Sequence, residues 1–403
     1  MRARPYTLDR RQALRAGLFG LGAMGLRTQL CAAPLLGPRA AQRTLLLVQL
    51  SGGNDGLSLV VPHGDDAYHA ARPSLRHDKV LALDDYRGLH PALTRLRALY
   101  DAGHVAIVEG VGYPEPSRSH FTAFDVWHTA DRRGRAAGDG WVGRLCAAAW
   151  SESADPNLVV HVGGAAPYAL HSSAHPPACV ATPAGYRWAG DEGDVQAYEA
   201  AGETATEGAG ESLEFLRKTL ADGQASSRAI RAAAARYRPR ADYPNDPFAA
   251  ALRDVAALAS AGLGTRVFSV EIGGFDTHSA QRGRHDVLMR RLDAALGAFC
   301  ADLAGSAAAQ ELVVMVYSEF GRRVRENGSR GTDHGVAGPV LVLGAPVAGG
   351  LFGRHPSLAE LDEGDLVHTT DFRSVYATLI EGCFGIAHER VLGTRYPLLP
   401  LLG

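Results

Sequence analysis

Lysine, cysteine and long apolar runs are scarce in this chain of 403 residues. Lysine occurs only at Lys79 and Lys218, so arginine supplies nearly all of the positive charge, and most of it is expected on the solvated surface. Five cysteines are too few for a disulfide-dense small protein. The formal net charge of −2 gives no reason to expect nucleic-acid binding. No segment reaches the run of about 18 apolar residues that indicates a transmembrane helix.

What remains is the composition of an ordinary globular protein, with 46% hydrophobic and 21% charged residues. This excludes a disordered chain, a collagen and a coiled coil. The length allows one large α/β domain as well as two or three smaller domains.

Residues 1–41 differ from the rest of the chain. Arg10 and Arg11 are followed by a mildly apolar run of about 11 residues and then by small residues and prolines, which is the layout of an export signal. The arginine pair resembles the twin-arginine signal, read by the translocase that exports folded proteins. We therefore expect the twin-arginine translocase as a partner and a periplasmic or secreted location. The alternative is a basic amphipathic helix on the surface.

Removal of this segment changes the charge of the protein. The remaining chain has 34 basic and 42 acidic residues, a formal net charge of −8. A net-acidic protein needs a local source of positive charge, such as a metal ion or arginine, wherever it binds an anionic ligand.

The pattern of the remaining chain predicts an α/β fold. Helical patterns separate short apolar runs that mostly end at glycine, and such runs predict a mostly parallel central sheet with helices on both faces. The predicted strands cover 45–50, 105–108, 158–162, 267–270, 312–316 and 340–343, and the predicted helices cover 91–102, 246–261, 281–303 and 372–384. The alanine-rich, highly charged segment 190–240 is predicted to be a helical insertion or cap on a domain spanning 42–403.

Acidic residues and histidines follow several of the predicted strands, and another acid–histidine pair precedes the predicted strand 340–343. Ligands of open parallel sheets bind beyond the carboxyl ends of the strands, and carboxylate and imidazole groups are the usual ligands of divalent ions. The predicted metal ligands are Asp55, Asp276, His278, Glu319, Asp333 and His334, and the predicted substrate-binding residues are Asn54 and Arg322. The expected cofactor is a divalent ion, with zinc, manganese and calcium as the candidates.

The nucleophile candidate is Ser119, in a loop that precedes a helical pattern. A serine at a helix N-terminus lies where backbone N–H groups favour an anion, and a metal ion can lower its hydroxyl pKa. Arg118 is a candidate ligand for a tetrahedral anion, and His120 is a third catalytic candidate. The alternative is that Ser117 or Ser119 only caps the helix.

These motifs together resemble one exported bacterial family, the domain-of-unknown-function family numbered fifteen hundred and one, over roughly residues 42–400. The stretches that carry the resemblance are 50–57, 116–121, 274–278, 318–322 with Asn327, 331–335 and 371–376. The family is grouped with the alkaline phosphatase-like superfamily, which includes sulfatases. The resemblance implies an alkaline phosphatase-like fold, a metal site containing Asp55, Asp276, His278, Glu319 and His334, and Ser119 as nucleophile.

Three functions follow from these patterns. The first is an exported, metal-dependent hydrolase of small phosphate or sulfate esters. The second is a non-catalytic exported binding or assembly protein on the same fold, because Phe320 stands where the superfamily usually has histidine. The third is a metal-free serine esterase, which is disfavoured because the Asn-Asp pair precedes the serine here.

Overall fold

A computed structural model describes residues 43–188, 190–203 and 210–403. The predicted export signal, residues 1–41, lies outside the described residues and stays a prediction.

Fourteen β-strands are found within the described residues. They are β1 (Thr44–Ser51), β2 (Val60–Val61), β3 (Leu81–Ala82), β4 (Gly88–Leu89), β5 (Val105–Gly112), β6 (Val159–Val162), β7 (Ala178–Val180), β8 (Val267–Gly273), β9 (Leu312–Tyr317), β10 (Gly338–Leu343), β11 (Gly350–Phe352), β12 (Leu361–Asp362), β13 (Asp365–Leu366) and β14 (Thr370–Asp371).

Twelve α-helices accompany these strands in the same described ranges. They are α1 (Gly56–Leu59), α2 (Asp66–Ala71), α3 (Thr94–Asp101), α4 (His120–Thr129), α5 (Trp141–Ala149), α6 (Glu192–Glu203), α7 (Glu211–Arg236), α8 (Pro247–Ser260), α9 (Gln281–Leu303), α10 (Ala307–Glu311), α11 (Phe372–Phe384) and α12 (Glu389–Leu392). The described residues also form two short 3-10 helices, Gly134–Ala137 and Tyr168–Leu170.

The central sheet has nine strands in the order β11-β5-β10-β9-β1-β8-β6-β7, and β14 also pairs with β5. Every pairing is parallel except the two made by β10, which is antiparallel to both β9 and β5. The predicted mostly parallel α/β fold is therefore confirmed. Because β10 runs in the opposite direction, the loop that precedes it lies at the carboxyl edge of its parallel neighbours.

Both faces of the sheet are buried, which explains why β1 reads as an unbroken apolar run. Alternate residues of β1 point into two separate cores, with Leu46 and Val48 in one and Leu45 and Leu47 in the other. Helices α3, α7, α8 and α9 cover the first face through Leu96, Ile230, Leu252 and Leu292. Helices α4, α5, α11 and α12 cover the second through Trp127, Leu145, Tyr376 and Val391.

Local sequence determines several helix boundaries. Asp246 caps α8 by accepting hydrogen bonds from the N–H groups of Phe248 and Ala249, and Pro247 occupies the first helical position, as predicted. Helices α9 and α11 span the predicted ranges. The segment 190–240 contains α6 and α7, so its predicted helical character is confirmed where the structure describes it.

No helix in the described ranges is both long and apolar enough to cross a membrane. Within the same ranges, Cys146, Cys179, Cys300 and Cys383 are free thiols.

Candidate metal centre

Four side chains from three parts of the chain meet at the carboxyl edge of the sheet. Asp276 and His278 follow β8, His334 precedes the antiparallel β10, and His120 is the first residue of α4. Gly52, in the loop after β1, allows this loop to lie close to the loop that carries Asp276. Its φ is +119°, and a Cβ there would lie 2.4 Å from the backbone nitrogen of Asp276.

The four side chains form what we term the His/Asp cluster: His120, Asp276, His278 and His334. Asp276 Oδ1 lies 2.9 Å from His278 Nε2 and 3.1 Å from His334 Nε2, and these two nitrogens are 2.9 Å apart. His120 Nε2 lies 3.7 Å from the other oxygen of Asp276. Three imidazoles thus present Nε2 to one carboxylate.

The opposite nitrogen of each ring faces an oxygen acceptor. His334 Nδ1 lies 2.7 Å from the carbonyl oxygen of Arg118, and because a carbonyl only accepts, Nδ1 carries the proton. His120 Nδ1 lies 2.7 Å from Glu319 Oε1, and His278 Nδ1 lies 3.4 Å from Asp333 Oδ1. A neutral imidazole held in this way has its lone pair on Nε2, which is the arrangement of metal-binding histidines.

Two other groups of potential metal ligands occur in the described part of the chain. Their histidines differ from those of the His/Asp cluster in the hydrogen bonds that the ring nitrogens make. In the group His77, His90 and Asp286, His90 Nδ1 accepts from the backbone N–H of Ala92. In the group Glu381, His388 and Glu389, His388 Nε2 accepts from the backbone N–H of Tyr396. The second nitrogen of each ring faces a carboxylate, so these two imidazoles hold structure together and have no lone pair left for an ion.

The His/Asp cluster suits a divalent ion. Ligand atoms 2.0–2.2 Å from a shared tetrahedral ion lie about 3.3–3.6 Å apart, and the separations of 2.9–3.7 Å around Asp276 and between His278 and His334 are close to that spacing. The ligand atoms of His120, Asp276 and His334 all lie within 4.8 Å of one another. Three nitrogens and one oxygen favour zinc over calcium, which prefers oxygen ligands. Burial raises the pKa of Asp276, but the hydrogen bond and the positive charge of Arg322 outweigh it and lower the pKa to about 2, so the carboxylate is charged at neutral pH.

Glu319 and Asp333 lie behind the imidazoles. Glu319 is fully buried, and its Oε1 accepts from His120 and, at 2.9 Å, from the backbone N–H of Gly52. The hydrogen bond that His120 donates to Glu319 raises the pKa of His120 despite the opposing effect of burial, so the imidazole becomes a stronger ligand. We therefore assign these two predicted ligands as hydrogen-bond partners of ligands.

Phe320 supports the same histidines from the side. Its buried ring has its centroid 4.9 Å from that of His120 and 4.6 Å from that of His334. This residue, which departs from the superfamily pattern, thus packs against the imidazoles of the cluster.

Asp55 lies apart from the cluster and belongs to none of the ligand groups found in the described residues. It is fully buried, and its Oδ2 lies 2.6 Å from Arg72 Nη1. Burial raises its pKa, but Arg72 outweighs burial and holds the pKa well below its ordinary range. Arg72 thus neutralises the carboxylate through Oδ2, whereas Oδ1 is buried without a hydrogen-bond partner among the described residues, and the role of Asp55 as a ligand stays a prediction.

Neither Arg322 nor Asn54 is available to a substrate. The Arg322 side chain is fully buried; it donates to Asp276 at 2.7 Å and to four backbone carbonyl groups. Those carbonyls belong to Gly52, Gly53, Phe275 and Thr332. Asn54 is buried, and its Oδ1 lies 3.0 Å from His285 Nε2. Both predicted substrate-binding residues instead stabilise the loops of the site.

Arg118 and Ser119 immediately precede His120. The Arg118 guanidinium pairs with the buried Asp365, so only its backbone carbonyl joins the cluster. Ser119 is exposed at the N-terminus of α4 and, within the described residues, its hydroxyl caps none of the helix N–H groups. The predicted roles of Arg118 as a ligand for an anion and of Ser119 as a nucleophile stay predictions.

The fold and the His/Asp cluster define an α/β protein with a candidate metal centre at the carboxyl edge of its sheet. The chain belongs to the family described as Protein of unknown function (DUF1501), whose model matches residues 106–394. The match includes all four residues of the cluster and excludes Asp55. No curated protein matches the chain.

Several solved structures are similar to the chain at low identity. One is a protein in the alkaline phosphatase superfamily from Vibrio parahaemolyticus, with 10% identity and a TM-score of 0.36 over 85% of this chain and 67% of that chain. Another is the lipoteichoic acid synthase LtaP from Listeria monocytogenes, with 11% identity and a TM-score of 0.38 over 86% and 73%. A third is the PsFucS1 sulfatase from Pseudoalteromonas sp., with 10% identity and a TM-score of 0.41 over 86% and 68%.

Proposed function

We propose that the protein is an exported, metal-dependent hydrolase of phosphate or sulfate esters. One observation carries the proposal: three imidazoles direct Nε2 toward the Asp276 carboxylate, and the Nδ1 atom of each faces an oxygen acceptor. A divalent ion in such a site polarises an ester oxygen and lowers the pKa of a nearby hydroxyl group. His120, Asp276, His278 and His334 would hold this ion.

The chain's own groups have separate tasks in this reaction. The Ser119 hydroxyl is the candidate nucleophile, because it is exposed and its neighbour His120 belongs to the cluster. The first-turn N–H groups of α4 are positioned to stabilise the negative charge of an attacked phosphate or sulfate group. Glu319 and the Arg118 carbonyl keep His120 and His334 oriented throughout.

The candidate metal centre is open to solvent, so an ester can reach it from solution. The side chains of Asp276 and His278 are 49% and 45% exposed. Arg118 and Arg322 are occupied by carboxylates, so the ion and the N-terminus of α4 must provide the positive charge that attracts the ester.

The test is a metal analysis of the purified protein, followed by assays on an aryl phosphate and an aryl sulfate with zinc or manganese. We expect bound metal, metal-dependent turnover of one ester, and loss of both in His334→Ala. His104→Ala, which removes an exposed histidine outside the cluster, serves as the control and keeps both. Failure to bind either ion and to hydrolyse either ester would contradict the proposal.

The second candidate is a non-catalytic exported binding or assembly protein. The observation in its favour is that both arginines expected to hold a substrate anion are locked in ion pairs. Ser119→Ala separates the two functions: the hydrolase loses its biological activity, whereas the binding protein keeps it.

Export is the remaining part of the proposal, and it rests on residues 1–41 of the sequence alone. Fusion of these residues to a reporter protein that is active only after export tests it directly. We expect export that is lost when Arg10 and Arg11 are both replaced by lysine. Unchanged export of the double-lysine variant would contradict recognition by the twin-arginine pathway.

A further inference from the structure

A buried glutamine lies between the two loops that carry most of the His/Asp cluster. Gln281, the first residue of α9, is only 1% exposed. Its Oε1 accepts hydrogen bonds from the hydroxyl groups of Thr277, at 3.0 Å, and Thr332, at 2.6 Å. Thr277 stands between Asp276 and His278, and Thr332 stands two residues before His334. One amide oxygen thus joins both loops.

The other end of the same amide is held by a buried ion pair. Gln281 Nε2 donates to Asp55 Oδ2, and this fixes the orientation of the amide because a carboxylate only accepts. Asp55 is paired with the fully buried Arg72. Arg72 also donates to the backbone carbonyls of Arg323 and Val324 at 2.9 and 2.8 Å, so the pair is itself anchored to the loop after β9.

Backbone contacts keep the two loops close together around this amide. The N–H of Gln281 donates to the carbonyl of Arg330 at 2.9 Å, and Asn327 Nδ2 donates to the carbonyl of His278 at 3.0 Å. A Cβ at Gly331 would lie 2.2 Å from the backbone of His278. A change at Gln281 therefore acts on the spacing of loops that are already in contact.

We infer that Gln281 is a positioning residue of the metal centre, resting on the metal-dependent function proposed above. Gln281 sets the separation between the loop 276–278 and the loop 332–334. It thereby sets the distance between Nε2 of His278 and Nε2 of His334. The ion pair of Asp55 and Arg72 orients the amide. Partners of this kind change metal affinity by about 10–100-fold when they are removed.

The experiment measures zinc affinity by calorimetry and the visible spectrum of the cobalt-loaded protein, which reports the ligand geometry. The variants are Gln281→Leu, which removes the bridge, and Thr332→Val, which removes one hydroxyl while keeping the shape. Thr332→Ser keeps the hydroxyl group and serves as the conservative variant. Gln224→Leu is the control, because Gln224 is a buried glutamine on α7 that bonds to the backbone of Tyr198.

We expect zinc affinity about 10–100-fold weaker in Gln281→Leu and several-fold weaker in Thr332→Val, with an altered cobalt spectrum in both. Thr332→Ser and the control keep the wild-type values. Wild-type affinity and spectrum in folded Gln281→Leu would overturn the inference while leaving the metal centre intact. If Gln281→Leu does not fold, wild-type behaviour of Thr332→Val overturns it. A wild-type chain that binds no zinc would instead refute the proposed function and this role with it.

Discussion

Replacement of Asp276 by asparagine gives a prediction whose size follows from the geometry of the cluster. The asparagine keeps the shape of the side chain and removes the charge that faces Arg322, His278 and His334. The pKa of Asp276 is about 2, compared with 3.8 for an ordinary aspartate. That difference corresponds to about 2.4 kcal/mol of stability. Because the carboxylate is half exposed, solvent screening reduces the expected loss to about 1 kcal/mol.

The sign of the pH dependence follows from the lowered pKa. The charged carboxylate stabilises the folded protein above pH 3.8, and this contribution is lost as the pH falls through 2. Metal-free Asp276→Asn is therefore less stable than the wild type at pH 7, and the difference disappears as the pH approaches 2. Urea unfolding of both proteins across this pH range measures it. Asp101→Asn, which removes an exposed carboxylate paired with Arg97, is the control.

Zinc increases the difference in stability between the wild type and Asp276→Asn at pH 7. If the substitution weakens zinc binding about 100-fold, the stabilisation by saturating zinc decreases by about 2.7 kcal/mol. Thermal unfolding with and without zinc measures this quantity. The reasoning would be refuted if zinc stabilised Asp276→Asn as much as it stabilises the wild-type protein.

Three further variants test separate parts of the account. Glu319→Ala frees Nδ1 of His120, so calorimetry should show zinc binding weakened about 10–100-fold, and unchanged affinity would contradict the assigned role. Ser119→Ala should abolish ester turnover while keeping zinc binding; turnover at the wild-type rate would exclude Ser119 as nucleophile. Arg322→Met leaves Asp276 and four carbonyl groups without their buried partner, so urea unfolding should show a loss of about 3–5 kcal/mol. A loss below about 1 kcal/mol would mean that Arg322 does not hold the loops together.

The strands and the main helices were predictable because their signals are local. Continuous apolar runs such as the one in β1 arise when both faces of a parallel strand are buried, and the Asp246-Pro247 pair marks a helix start without reference to the rest of the chain. The direction of β10 was not predictable. It depends on which neighbours the strand finds in the sheet, and a single apolar run contains no information on that choice.

The site was predictable only in part, for the same physical reason. The gathering of Asp276, His278 and His334 follows from strand order, since loops at one edge of a sheet lie together. The neutralisation of Asp55 depends on Arg72, which no spacing rule connects to it. A guanidinium such as that of Arg322 looks the same in sequence whether it faces a substrate or backbone carbonyls, and only packing decides between them.

Anomalous X-ray diffraction from zinc-soaked crystals tests most directly whether an ion binds at the His/Asp cluster. We predict one strong zinc peak bonded to Nε2 of His120, His278 and His334 and to the Asp276 carboxylate, at about 2.0–2.2 Å. An empty cluster in crystals that bind zinc elsewhere, or a peak on Nδ1 in place of Nε2, would contradict it.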